Sequence, residues 1–386
     1  MERSGFFLKD SVALGFLSLL GLAFLVAIIL QQRDRAFRGV NDFIPFYSGA
    51  WLVTAGDLYD NDRLQEVSRE KTGMWSHEHG YIRLPFHAAF LWPLTRLPYL
   101  GAYYVWQTLS LAAACGFVAL WRPPGLSARL LFTTLSIPLL HAWLKGQDIP
   151  FVLLFLAVTL RLHQAGKPRL AGLVFSLCAV KFHLFLLTPV LLVGRRYWKF
   201  AAGFLGGGAL LAAISFAVGG RSWPLEFLAS ASNPVFSPGL SAMPNLHGAL
   251  SELPFNLPLE ALLTMTVILA AWITARRASF EYAFACSLAG GLLLSHHSYL
   301  LDSAVLLPAC LTVVASSQRR WLKGVAVFLL TPPAHFLIAI AYPYSALMTG
   351  VIVVFVYGMA WESWKGLETV RKAAPVSQVE SPVSAA

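Results

Sequence analysis

The chain has 386 residues, 57% of them hydrophobic and only 12% charged, with a mean hydropathy of +0.64. Soluble globular chains carry about 25% charged residues, so the composition excludes a soluble enzyme and implies a helical membrane protein. The net charge of +10 would suggest nucleic acid in a soluble chain; here it reflects Lys- and Arg-rich cytoplasmic loops, and no nucleic acid is expected as a partner. Several apolar runs of roughly 17 or more residues meet the length a bilayer demands. The expected fold is all-α: a polytopic transmembrane helical bundle of about twelve spans, with two long outer loops carrying interfacial helices. Residues 1–372 form one membrane domain and 373–386, rich in Ala, Ser, Pro and Val, a disordered cytoplasmic tail.

The first span runs over 11–30, read as retained because Gln31-Gln32-Arg33 is no small-residue cleavage site. After it, Phe43, Phe46, Tyr47, Ala50, Trp51 and Thr54 recur at helical spacing, which predicts a short helix lying in the membrane interface with Asp42 at its head. Gly56 stops that helix, Asp57-Leu58-Tyr59-Asp60 turns the chain, and a charged, solvated helix follows over about 61–72. Spans are expected near 100–121, 130–143, 149–162, 169–181 and 184–194, the last two short enough to form a hairpin turning at Lys181-Phe182-His183. A span over 200–218 carries Gly206-Gly207-Gly208, small residues that permit close helix contact. A second long loop, 219–256, precedes spans near 258–275, 281–294, 299–315, 324–341 and 345–361. Cys115, Cys178, Cys286 and Cys310 all fall inside apolar segments without metal-type spacing and read as buried packing residues.

Arg195-Arg196, Arg276-Arg277 and Arg319-Arg320 share one side of this topology, whereas the short loops of the other side contain only Lys145 and Lys181. The positive-inside rule then puts both termini in the cytoplasm and both long loops outside. One outer rim collects Asp42, residues 75–87, Lys145 to Asp148, Lys181, His183, Asn245, His247 and Ser295 to Asp302. Ionisable groups at membrane depth are costly and usually functional, so this clustering points to a polar cavity.

Each group also has a plainer reading. Asp42 fits an N-cap that satisfies the first amides of its helix. Lys181 fits a snorkelling cation as well as a point charge for a phosphate. His77 and His79 flank Glu78, but without HExxH spacing a solvated loop is favoured over metal ligation. Asp302 lies a turn inside a span and requires a partner, Lys181 or an arginine. The glycine triplet is no phosphate loop, because no Lys-Ser/Thr follows it. No metal site is expected.

In this order and topology, several stretches resemble glycosyltransferase family 87, membrane enzymes of the GT-C class. They are Asp42-Phe43 with Phe46-Tyr47, Gly56-Asp57-Leu58-Tyr59-Asp60, Leu84-Pro85-Phe86 leading to Trp92-Pro93-Leu94, Gly146-Gln147, Ala171-Gly172 through Lys181, Arg195-Arg196, Asn245 with Gly248, and Ser295 to Asp302. The chain departs from the family pattern at Arg83, which opens Arg83-Leu84-Pro85-Phe86 where Tyr-Pro-Pro-Phe is usual. It departs again at Asp148, where Asn often follows Gly-Gln, and at Phe182, where Pro follows the lysine. The resemblance implies transfer of a sugar, mannose or another hexose or pentose, from a polyprenyl-phosphate donor to a lipid or glycan acceptor at the outer face of a bacterial inner membrane. It implies Asp42 as general base, and no cofactor, in keeping with the lack of a DxD motif. Lys181, Arg83 and His297 are the candidates for the donor phosphate. Tyr47, Asp60, Gln147, Asn245, His247, Tyr299 and Asp302 are the acceptor or cavity-lining candidates. A transporter or flippase for a lipid-linked or polar substrate is the alternative; it would show internal symmetry and midplane helix breaks in both halves. An O-antigen-ligase-type enzyme would carry a large late outer loop, which this chain lacks.

Overall fold

The computed structural model describes Leu19, Ala23 and residues 26–53, 56–75, 80–122, 124–233 and 239–373. Most of the expected first span, Thr54, the His77-Glu78-His79 run and the tail beyond 373 lie outside the described residues. Among the described residues every regular element is helical and no strand occurs. Five helices are long and apolar enough to cross a membrane: Tyr99–Leu120, Pro168–Phe185, Trp198–Gly219, Asn256–Arg277 and Tyr344–Lys365. Arg320–Leu329 and Pro332–Ala339 make a sixth if counted as one span bent by 60°. Ile149–Gln164, Phe280–Leu294 and Leu300–Ser316 are apolar but shorter. About twelve spans were expected, two of them too short for full crossings and the first lying mostly outside the described residues; the described helices of full length number five or six.

Two cores hold these helices together. The larger gathers apolar side chains from Phe86 through Ala360; the smaller is built on Phe43, Tyr47, Tyr81, Tyr99, Tyr103 and Trp106. Pro168–Phe185 and Trp198–Gly219 lie almost backbone to backbone, since a Cβ at Gly172 would fall 2.1 Å from the Phe200 carbonyl oxygen and one at Gly203 1.9 Å from that of Arg169. Of the Gly206-Gly207-Gly208 triplet only Gly207 is in this seam; a Cβ on either neighbour would meet open space.

Four local expectations change. Phe43–Leu52 is not an interfacial helix: every residue of it except Trp51 is buried. It is apolar on all sides, the pattern of a core helix, and it is enclosed by Asn61–Thr72, Pro85–Leu91 and Tyr99–Leu120. The expected span near 130–143 divides into Leu126–Thr134 and Ile137–Leu144, where Ser136 caps the second helix and Pro138 sits in its first turn. Cys115 is exposed, whereas the other three cysteines are buried. The turn expected at Lys181 is a break inside a 3₁₀ run, with Lys181 alone leaving helical geometry at φ −128°, ψ 44°.

Candidate active site

The Gly146-Gln147-Asp148 turn is the centre of the site. It is stitched to the start of Phe43–Leu52 by backbone and amide contacts. The Asp42 N–H donates to the Lys145 carbonyl at 3.1 Å, and the Asn41 side-chain amide donates to the Leu144 carbonyl at 2.9 Å. Trp106 donates its indole N–H to the Gly146 carbonyl at 2.9 Å. Gly146 adopts φ +67°, and a Cβ there would lie 2.9 Å from the Phe43 Cβ, so glycine is required on both counts. Asn41, rather than Asp42, caps the helix, its Oδ1 accepting the Phe43 N–H at 3.0 Å. Asp42 makes no side-chain capping bond, and it lines the cavity.

A polar chain runs from Asp42 across the turn. Gln147 Nε2 donates to Asp42 Oδ2 at 2.7 Å, and Gln147 Oε1 accepts from Arg83 Nη2 at 2.7 Å. Arg83 Nε donates to Asp148 Oδ2 at 2.9 Å. On the far side of Asp148, Lys181 Nζ stands 3.9 Å from Oδ1 and donates to Asp302 Oδ1 at 2.9 Å. The second Asp302 oxygen accepts the Tyr299 N–H at 3.0 Å. Lys181, Asp148 and Asp302 are 4%, 2% and 1% exposed, a depth at which unpaired charge would be untenable. Burial pushes the Asp148 carboxyl up, but Arg83, Lys181 and His87 outweigh it and hold the group at about 2. Burial lowers His87 to about 4; its Nε2, 3.8 Å from Asp148, is therefore a neutral neighbour at physiological pH.

Asp42, Arg83, Gln147, Lys181, His297, Tyr299 and Asp302 all line one cavity of ≈ 340 Å³. Phe46, Phe182 and Phe227 supply apolar wall, and His183 joins the lining with its ring 6.2 Å from that of His297. Four sequence candidates are elsewhere. Tyr47 is 3% exposed and packs on Tyr99, with its hydroxyl donating to the Leu97 carbonyl at 2.7 Å. Asp60 is exposed and caps Asn61–Thr72, accepting from the Asp62 and Arg63 amides. Asn245 is fully buried and acts as a strut, donating to the Ser295 carbonyl at 2.6 Å and Ser298 Oγ at 2.8 Å. His247 faces Glu260 instead, with 3.0 Å between Nδ1 and Oε2. None of these four lines the cavity, because backbone or core contacts engage each of the first three and Glu260 engages the fourth.

A model of glycosyltransferase family 87 matches residues 84–301. That is more than half of the chain. The chain belongs to glycosyltransferase family 87. No curated protein and no solved structure matches it. Family 87 membership makes it a membrane glycosyltransferase, with a sugar donor and an acceptor as substrates and membrane lipids around it. Arg83 and Asp302 stand one residue outside either end of the matched stretch, and Asp42 lies well upstream of it. The family match thus covers Gln147, Lys181, His297 and Tyr299, while Asp42 enters the site by its contact with Gln147.

Asn41, Asp148 and His183 carry more of this site than the sequence suggested. A carboxylate in a four-residue turn between apolar helices is itself a signal for a buried partner, and it singles out Asp148. Asn41 has no comparable signal; its amide reads as loop polarity until Leu144 and Tyr103 are brought beside it.

Proposed function

We propose that this family 87 enzyme transfers a sugar from a polyprenyl-phosphate donor to a lipid or glycan acceptor at the outer face of a bacterial inner membrane, with Asp42 as general base. The observation that carries the reading is the Gln147 bridge: an acid on the cavity wall whose orientation is fixed by an amide, itself held by Arg83. An inverting transfer requires a carboxylate that takes the acceptor hydroxyl proton as the new glycosidic C–O bond forms and the bond to the lipid phosphate breaks. The departing phosphate carries the developing negative charge and requires donors that are already in position.

Lys181 and Arg83 supply those donors. Of the five N–H groups of a guanidinium, Arg83 commits three among the described residues, to Ile82, Gln147 and Asp148. Among the described residues Lys181 makes one hydrogen bond, to Asp302, and it carries three N–H donors. His297 borders the same space and adds a third group for the phosphate. The sugar is mannose or another hexose or pentose. The basic loops at Arg195-Arg196, Arg276-Arg277 and Arg319-Arg320 support cytoplasmic termini and an outward-facing cavity.

The test is a donor panel: purified protein in nanodiscs is mixed with different polyprenyl-phosphate sugars and membrane-extract acceptors, and release of polyprenyl phosphate is followed. Acceptor-dependent release from one donor supports the reading. Donor binding without release across the panel would instead favour the transport alternative.

A further inference from the structure

Outside the active-site cavity, three ligand-type side chains converge from separate elements. His247 comes from the short helix Leu246–Leu250, Glu260 from the first turns of Asn256–Arg277, and His296 from the Ser295–Tyr299 loop. Their ligating atoms all lie within 4.8 Å of one another. His247 Nδ1 is 3.0 Å from Glu260 Oε2, and His296 Nε2 is 3.6 Å from Glu260 Oε1. The two imidazole rings are 4.7 Å apart by their centroids.

We infer that His247, Glu260 and His296 form a binding site for a divalent transition-metal cation, of which zinc fits best. Two imidazoles and one carboxylate are a donor set that zinc takes up with an open fourth position. Metal–ligand bonds of about 2.0–2.2 Å in a tetrahedron put neighbouring ligand atoms about 3.3–3.6 Å apart. The three ligand atoms lie within 4.8 Å of one another, with His247 and His296 each beside a different Glu260 oxygen, so side-chain rotations that close the set to that edge accommodate a cation. Glu260 is 12% exposed and His296 71% exposed, which leaves an entry path and an open coordination position toward solvent.

The placement gives the ion a consequence. His296 precedes His297 in the loop that also brings Tyr299 to the active-site cavity. Asn245 already ties that loop from one side, at Ser295 and Ser298. A metal joining His296 to Glu260 and His247 ties it from the other, clamping the cavity wall to the start of Asn256–Arg277. The site is therefore a structural clasp on the loop, distinct from the groups that face the reacting atoms.

The test uses the full-length protein in nanodiscs, freed of any histidine tag and treated with a chelator. Zinc is titrated calorimetrically into wild type, into Glu260→Gln and into the double variant His247→Ala/His296→Ala, and unfolding temperature is read with and without zinc. Wild type is expected to bind one equivalent and to gain thermal stability, and both variants to lose the binding and the gain. The exposure of His296 means that His296→Ala alone, which keeps the fold, is also expected to weaken binding at least tenfold. Equal zinc uptake by wild type and the double variant, or wild-type binding with no change in unfolding temperature, would overturn the inference.

Discussion

Gln147 donates its side-chain amide to Asp42 at 2.7 Å across 105 residues of sequence. The amide cannot flip without breaking its bond from Arg83, so one arginine sets the orientation of the acid through one glutamine. Gln147→Leu removes the link, and with it the contact through which Arg83 orients Asp42. Misplacement of a catalytic group by about 1 Å costs on the order of 10²-fold, and a loss of that size in kcat with little change in donor KM is expected. Steady-state kinetics on the variant check it.

Gln147→Glu probes the same contact through charge. A second carboxylate beside Asp42 disfavours ionisation of both, so the acid limb of the kcat pH profile is expected to move to higher pH. An unchanged acid limb would mean that the titrating base lies elsewhere.

Lys181 and Asp302, at 2.9 Å, are both almost wholly buried. Lys181→Met leaves the carboxylate without its cation, and breaking a buried pair from one side costs about 3–5 kcal/mol. The double variant Lys181→Met/Asp302→Leu is expected to recover most of that stability while remaining inactive. Denaturation midpoints and turnover together separate the structural from the phosphate-binding role of the lysine.

The Arg83–Asp148 pair gives a pH dependence of defined sign. Asp148 falls from an ordinary 3.8 to about 2 in the folded protein. A depressed folded value contributes stability that is complete above the unfolded value and is lost as pH falls from 3.8 through about 2. The shift corresponds to about 2 kcal/mol. Asp148→Asn is therefore expected to be less stable than wild type at pH 6, with the gap closing as the acid range is entered. Chemical denaturation at several pH values reads it.

Gly172→Ala tests the helix seam. Its Cβ would lie 2.1 Å from the Phe200 carbonyl oxygen, a backbone atom that cannot swing aside. Overpacking of this kind costs about 1–3 kcal/mol. Gly206→Ala, which meets open space, is the matched control and is expected to be neutral in thermal unfolding.

The long apolar helices were legible because run length reports on bilayer crossing almost directly. Phe43–Leu52 was misread for a local reason. Its apolar face was visible, but its second covering layer, from Tyr81 and Pro85–Leu91, comes from residues whose spacing carries no sign of the contact. The cavity was legible as a rim: placing Asp42, Gln147, Lys181, His297 and Asp302 on one membrane face put them within reach of each other. The pairing among them was not. Arg83 and Asp148 each read as isolated departures from the family pattern, yet they form one ion pair at 2.9 Å. A cation in one strand of the sequence and an anion 65 residues later compensate each other only in space. Asn245 and His247 failed in the opposite way, since polarity near the rim did not reveal that one braces a loop and the other faces Glu260.

In the proposed reaction Asp42 removes the acceptor proton. The most direct measurement is single-turnover transfer by wild type and Asp42→Asn in nanodiscs, with the donor identified by the panel and its binding measured in parallel. General-base removal costs on the order of 10²–10⁴-fold, so the variant is expected to bind donor as wild type does and to transfer at least 100-fold more slowly. Transfer at the wild-type rate by a folded, donor-binding Asp42→Asn enzyme would show that Asp42 is not the base.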